Sequence, residues 1–150
     1  MFVEIVMQAV TIRINSVTKD ENRQEQSTEQ ICFGQMAEKN GKYYVMYDET
    51  QVTGLEGTKT TIKWDGTRVT IIRRGALEHR QEFAQDYVDK SLYRTPYMEI
   101  PIETATKYLY TYFREEVWHI EMEYTLSQGG QPYGDMKISI DIEEDTRNGH

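Results

Sequence analysis

The chain has 150 residues, 25 acidic against 17 basic side chains, a net charge of −8 and a hydrophobic fraction of 38%. That length suits one domain, and the acidic balance, with no basic run longer than Arg73–Arg74, disfavours nucleic-acid and anionic-membrane partners. No segment approaches the ~20 apolar residues of a spanning helix. The opening "MFVEIVMQAV" lacks the basic cluster of a signal peptide, and Cys32 alone permits no intrachain disulfide, so a cytoplasmic location is expected.

Period-two alternation recurs from end to end and helical periodicity is nearly absent, which predicts an all-β chain. The first strand is expected over about residues 2–17, with Val6, Val10, Ile12 and Ile14 on one face, followed by the polar loop "TKDENRQEQ". Strands over about 25–38 and 42–50 meet at Asn40–Gly41, a pair suited to the positive backbone angles of a tight hairpin. Asp65–Gly66 in "TIKWDGTRVTII" is read as a second such pair, and Gly75 leads on towards a sixth strand.

Residues 84–97, "AQDYVDKSLYRTPY", break the alternation and are expected to form a short helix or a lid over an open end. In the next strand Met98, Ile100, Ile102, Thr104, Thr106, Tyr108, Tyr110 and Tyr112 share one predicted inner face, with Pro101 marking an edge or bend. A turn at residues 114–116 leads to "VWHIEMEYTL", whose Trp118, Ile120, Met122, Tyr124 and Leu126 point in. After "SQGGQPYG", Met136, Ile138, Ile140 and Ile142 do the same. Residues 143–150 are expected to fray. Eight to ten strands in sequential hairpins, each with one apolar face, predict a single antiparallel up-and-down β-barrel, because closure leaves no exposed edge. A sandwich is the competitor, but its crossovers need longer links than most of these.

His119, Glu121 and Glu123 stand at alternate positions, as metal ligands on a strand could. Side chains two apart are ~6.7 Å from each other, so three of them span ~13 Å, too far for one ion. A solvated face is the simpler account, and neither metal nor cofactor is expected. His79 shares a face with Leu77, Gln81 and Phe83, which suits a core or pocket residue and a ligand contact more than catalysis. No spacing suggests a nucleophile with a base beside it, so no enzyme is expected. Tyr108, Tyr110, Trp118 and Tyr124 would form one inner wall of rings with hydroxyl tips, either lining a small-ligand cavity or filling the core.

The succession "YDET", "TGLEGTKTTI", "IIRRG" and "LYRTPY", followed by a Thr-rich strand, resembles the YwiB-like family of small bacterial proteins over roughly residues 5–145. The resemblance implies a cytoplasmic, calycin-type or lipocalin-like barrel with no established activity. It draws attention to Glu49, Thr60, Arg74, Gly75, Tyr93, Thr95 and Pro96; Met98 stands where the family commonly has glycine, a departure because glycine permits backbone angles that methionine resists. Glu49 and Arg74 are expected as polar anchors at the barrel mouth, paired with each other or clamping a small polar ligand. The expected function is therefore non-catalytic binding of a small, partly apolar molecule inside the barrel. The alternative is an interaction protein or homodimer with a filled barrel.

Overall fold

The computed structural model describes residues 6–50 and 53–147. The predicted reach of the first strand back to residue 2 and residues 148–150 of the predicted frayed tail lie outside these residues; residues 143 and 144 are not frayed but pair with Thr11 and Val10, and the Asp145 N–H donates to the Ala9 carbonyl at 2.9 Å. Ten antiparallel strands follow one another: β1 (Gln8–Asp20), β2 (Glu25–Lys39), β3 (Lys42–Asp48), β4 (Thr58–Trp64), β5 (Arg68–Gly75), β6 (His79–Ala84), β7 (Val88–Arg94), β8 (Glu99–Arg114), β9 (Val117–Gln128) and β10 (Gln131–Glu144). Their order in the sheet is β6-β5-β4-β3-β2-β1-β10-β9-β8-β7, so β6 and β7 are its two edges. Among the described residues the backbones of the two edges meet through a single bridge, Glu78 with Arg94, whose N–H···O bonds measure 2.8 and 2.9 Å. The result is the expected up-and-down barrel, nearly closed.

Alternation accounts for the core. Val10 and Ile12 of β1, Val45 of β3, Ile62 and Trp64 of β4, Val69 of β5, Phe83 of β6, Ile120 and Met122 of β9, and Ile140 and Ile142 of β10 are all buried in one cluster. Each such side chain contributes roughly 1.5–3 kcal/mol on leaving water. Val6, expected beside Val10, is exposed. At the end carrying the β2–β3, β4–β5, β6–β7 and β8–β9 turns, Tyr43 stacks on Trp64 at 5.6 Å and tilts against Trp118 at 4.5 Å, plugging the barrel with rings.

Three further expectations about the strands need correction. Residues 84–97 form neither helix nor lid: a turn at residues 85–87 leads directly into β7. The second is the tyrosine row. The β8–β9 register shifts between Thr106 and Tyr108, leaving Lys107 unpaired. One extra residue moves everything beyond it to the opposite face. Thr104 and Thr106 therefore point in, while Tyr108, Tyr110 and Tyr112 join Glu123, Glu121 and His119 on the outer surface, and Leu109 packs on the core in their place. Third, Asp65–Gly66 does not resemble Asn40–Gly41, where φ is 54° and 76°. The Asp65 carboxylate instead accepts the N–H groups of Thr67 at 2.8 Å and Arg68 at 2.9 Å, which holds its pKa below the usual carboxylate range.

Candidate functional site

A cross-strand row on the inner face builds the site at the end opposite the aromatic plug. Tyr47 of β3 pairs with Thr60 of β4, Thr60 with Arg73 of β5, and Arg73 with His79 of β6. Alternation dictates this row, since Val69, Ile71 and Arg73 share a face, as do His79, Gln81 and Phe83. Glu49 follows directly after β3 and is buried; its carboxylate accepts the hydroxyls of Thr60 at 2.6 Å and Thr53 at 3.1 Å. Arg74 is exposed on the outer face across from Lys59 and makes no ion pair with Glu49. The inward cation is Arg73, whose Nε is buried without a hydrogen-bond partner.

The wall beside this row lacks a backbone ladder, and polar side chains stand in for it. The Asp89 carboxylate of β7 accepts from the Glu82 backbone, Gln81 donates to Thr104 at 2.8 Å, and Gln85 donates to the Lys107 carbonyl at 2.9 Å. His79 Nε2 lies 2.8 Å from Ser91 Oγ, and the Tyr93 ring meets His79 edge-on at 5.6 Å. The seam therefore gathers His79, Gln81, Asp89, Thr104 and Thr106, all buried and polar. Asp89 Oδ2 and Thr106 Oγ1 remain without partners. Burial pushes the Asp89 carboxyl up. Burial first, and the Arg73 charge second, push His79 down to about 4, so its imidazole is neutral at physiological pH.

Over this end of the seam lies a cleft of about 670 Å³. Ile72, Leu92 and Pro101 give it an apolar surface, and His79 and Ser91 face it through the gap. Arg73, Arg74, Arg80, Lys90 and Arg94 surround it, against the one carboxylate of Glu78. Five of the 17 basic residues thus meet in one place on a chain of net charge −8. The hollow at the aromatic end has the opposite character, with Glu38, Glu115, Glu116, Glu143 and Glu144 among its lining residues.

The other residues singled out from the sequence are scattered. Thr95 holds the β7–β8 turn, its hydroxyl accepting the N–H groups of Tyr97 and Met98, both at 3.2 Å. Met98 does not adopt a positive φ, so that turn has no need of glycine. Tyr124 is a core residue 4.9 Å from Phe83, its hydroxyl pushed up to about 12 by burial. Trp118 belongs to the distant plug, and Tyr108 and Tyr110 lie outside. His119, Glu121 and Glu123 line the outer face, with His119 bonded to Asp141 at 2.8 Å and stacked on Tyr112 at 4.8 Å. Among the described residues no group of three His, Cys, Asp or Glu is placed to hold a metal ion. Arg73, Ser91, Arg80, Lys90 and Arg94 were not singled out. Alternation alone could have pointed to Arg73, but the others depend on how the barrel closes.

A ten-stranded up-and-down barrel with a polar, side-chain-filled seam is the class of protein that the fold and this site define. Residues 12–140 match the family described as a domain of unknown function, DUF1934, and the chain belongs to it. It is 27% identical over 122 residues to the uncharacterized β-barrel protein YwiB of Bacillus subtilis, covering 81% of this chain and 84% of that one. The crystal structure of the Bacillus subtilis YwiB protein superposes with a TM-score of 0.83 at 24% identity, over 93% of this chain and 94% of the other, which supports the fold.

Proposed function

We propose that the protein is a non-catalytic binding protein of the cytoplasm that holds a small molecule in the seam cleft, instead of in the barrel interior as a calycin-type barrel would. The observation that carries this reading is the cleft itself. Other hollows on the surface also fall within the range of small-molecule sites, roughly 300–1,000 Å³; this one, at about 670 Å³, is distinguished by joining apolar surface to convergent cations and the His79–Ser91 pair. The ligand lies at the seam instead of against a tyrosine wall, because Tyr108 and Tyr110 face outward and the barrel centre is packed. The test is the intact mass of protein purified from its own cells, under native and denaturing conditions. A reproducible adduct released on unfolding supports binding; a bare mass under both conditions speaks against it.

The His79–Ser91 contact has the form of a base beside a nucleophile, yet its surroundings oppose catalysis. Among the described residues no carboxylate bonds to His79 to stabilise an imidazolium, and Arg73 and burial both disfavour that cation. The pair is read as polar lining. A second reading has its own observation: Tyr110 is 57% exposed beside Tyr108, in a row bordered by Glu121, Glu123, Lys107 and Lys137. With both charge signs present, such a face could pair with a second copy of the chain. Sedimentation of the wild type and of Tyr110→Ser would show a dimer and its loss.

A further inference from the structure

We propose that the seam cleft selects a small organic molecule carrying a phosphoryl group, the phosphoryl seated among Arg73, Arg74 and Lys90 and the carbon body against Ile72, Leu92 and Pro101. This rests on the binding reading above and adds the chemical class of the ligand.

The charges decide the class. Of the five cations around the cleft, Arg80 is already committed to Glu82 at 3.0 Å and Arg94 to Glu99 at 3.3 Å. Among the described residues the ion pairs include none made by Arg73, Arg74 or Lys90, and Arg73 Nε is a buried donor with nothing to donate to. Three unpaired cations line the one cleft, Arg73 from its inner side and Arg74 and Lys90 from its exposed side, and their mutual repulsion is screened least where the site is partly buried. A neutral ligand leaves that repulsion untouched and a carboxylate offsets one charge. A phosphomonoester brings about −1.5 to −2 near neutral pH and three acceptor oxygens, enough for several cations at once. Guanidinium groups match such oxygens in paired hydrogen bonds, and Lys90 adds a mobile point charge. His79 and Ser91 lie at the inner side of the same cleft, where a neutral imidazole and a hydroxyl can still donate to an oxyanion. The apolar patch argues for more than inorganic phosphate, since Leu92 is 41% exposed there and gains from cover.

The test uses three probes with the whole chain: phenyl phosphate, with both dianion and body; inorganic phosphate, the dianion alone; and benzoate, a like body with one charge. Binding is followed by calorimetry and by the ring resonances of His79. The expected order of affinity is phenyl phosphate, then phosphate, then benzoate, with the His79 resonances moving and affinity falling as salt rises. Arg74→Met and Lys90→Met, both at exposed positions, should each weaken phenyl phosphate by roughly tenfold, the scale of one lost charge-assisted hydrogen bond. Arg73→Met should do the same and Arg73→Lys recover part of the loss. Benzoate binding as tightly as phenyl phosphate, or phosphate probes failing to bind a protein whose native adduct contains no phosphorus, would overturn the phosphoryl proposal and leave the binding reading standing. Absence of both adduct and probe binding would overturn the two together.

Discussion

Replacing His79 by glutamine should remove a specific part of the protein's loss of stability in acid. His79 is only 8% exposed, and its pKa falls from 6.5 to about 4 on folding. The folded state therefore binds fewer protons than the unfolded chain between these values. The stability held by a neutral His79 is complete above the unfolded pKa and is lost as pH falls from 6.5 towards 4. By linkage the loss is about 2 kcal/mol at about pH 5 and approaches roughly 3 kcal/mol below the folded value, at ~1.4 kcal/mol per pKa unit. Glutamine keeps a donor within reach of Ser91 and cannot titrate. Urea unfolding of both proteins at about pH 8 and about pH 5 isolates this contribution, because carboxylates shared by the two cancel in the difference. The stability gap between wild type and His79→Gln should close or reverse by about 2 kcal/mol on acidification. A gap constant to within ~0.5 kcal/mol would refute the reasoning and mean that His79 is protonated or solvated in the folded barrel.

Three other outcomes follow from the geometry. Glu115 and Glu116 occupy φ of 52° and 66° in the β8–β9 turn, so replacing them with Asn-Gly should stabilise the barrel by roughly 1–2 kcal/mol, read as a rise in Tm. Gly75 has φ of 128° and a Cβ there would collide with the Gly57 carbonyl, so Gly75→Ala should cost roughly 2 kcal/mol or more in urea unfolding. A fluorophosphonate probe should leave Ser91 unlabelled at neutral pH; rapid labelling abolished by His79→Gln would return an enzyme to consideration.

Much of the barrel could be read because most inner positions are apolar. Residues 117–126 and 136–142 alternate cleanly and fold as read, and Asn40–Gly41 makes the expected turn. Reading failed where the inner residues are polar or the count slips. In β7 the inward side chains are Asp89, Ser91 and Tyr93, which serve a wall without a ladder, so no hydrophobic alternation announces the strand. Lys107 is one extra residue opposite β9, and no local composition distinguishes it from the regular run that it interrupts. The cleft was hidden by averaging. Residues 73–94 hold five basic and four acidic side chains, nearly neutral as a string, yet only Glu78 among those acids reaches the cleft that all five cations share. That separation exists only once β5, β6 and β7 have turned their faces.

The most direct measurement is hydrogen exchange by mass spectrometry on protein as isolated from its own cells, compared with the same protein unfolded, freed of small molecules and refolded. Binding at the seam should give slower exchange in the isolated protein across residues 72–80 and 90–101 and no change over 108–123. Equal exchange at the seam in the two samples, or protection confined to the outer tyrosine face, would contradict a ligand in the cleft; the second result would turn attention to pairing between copies of the chain.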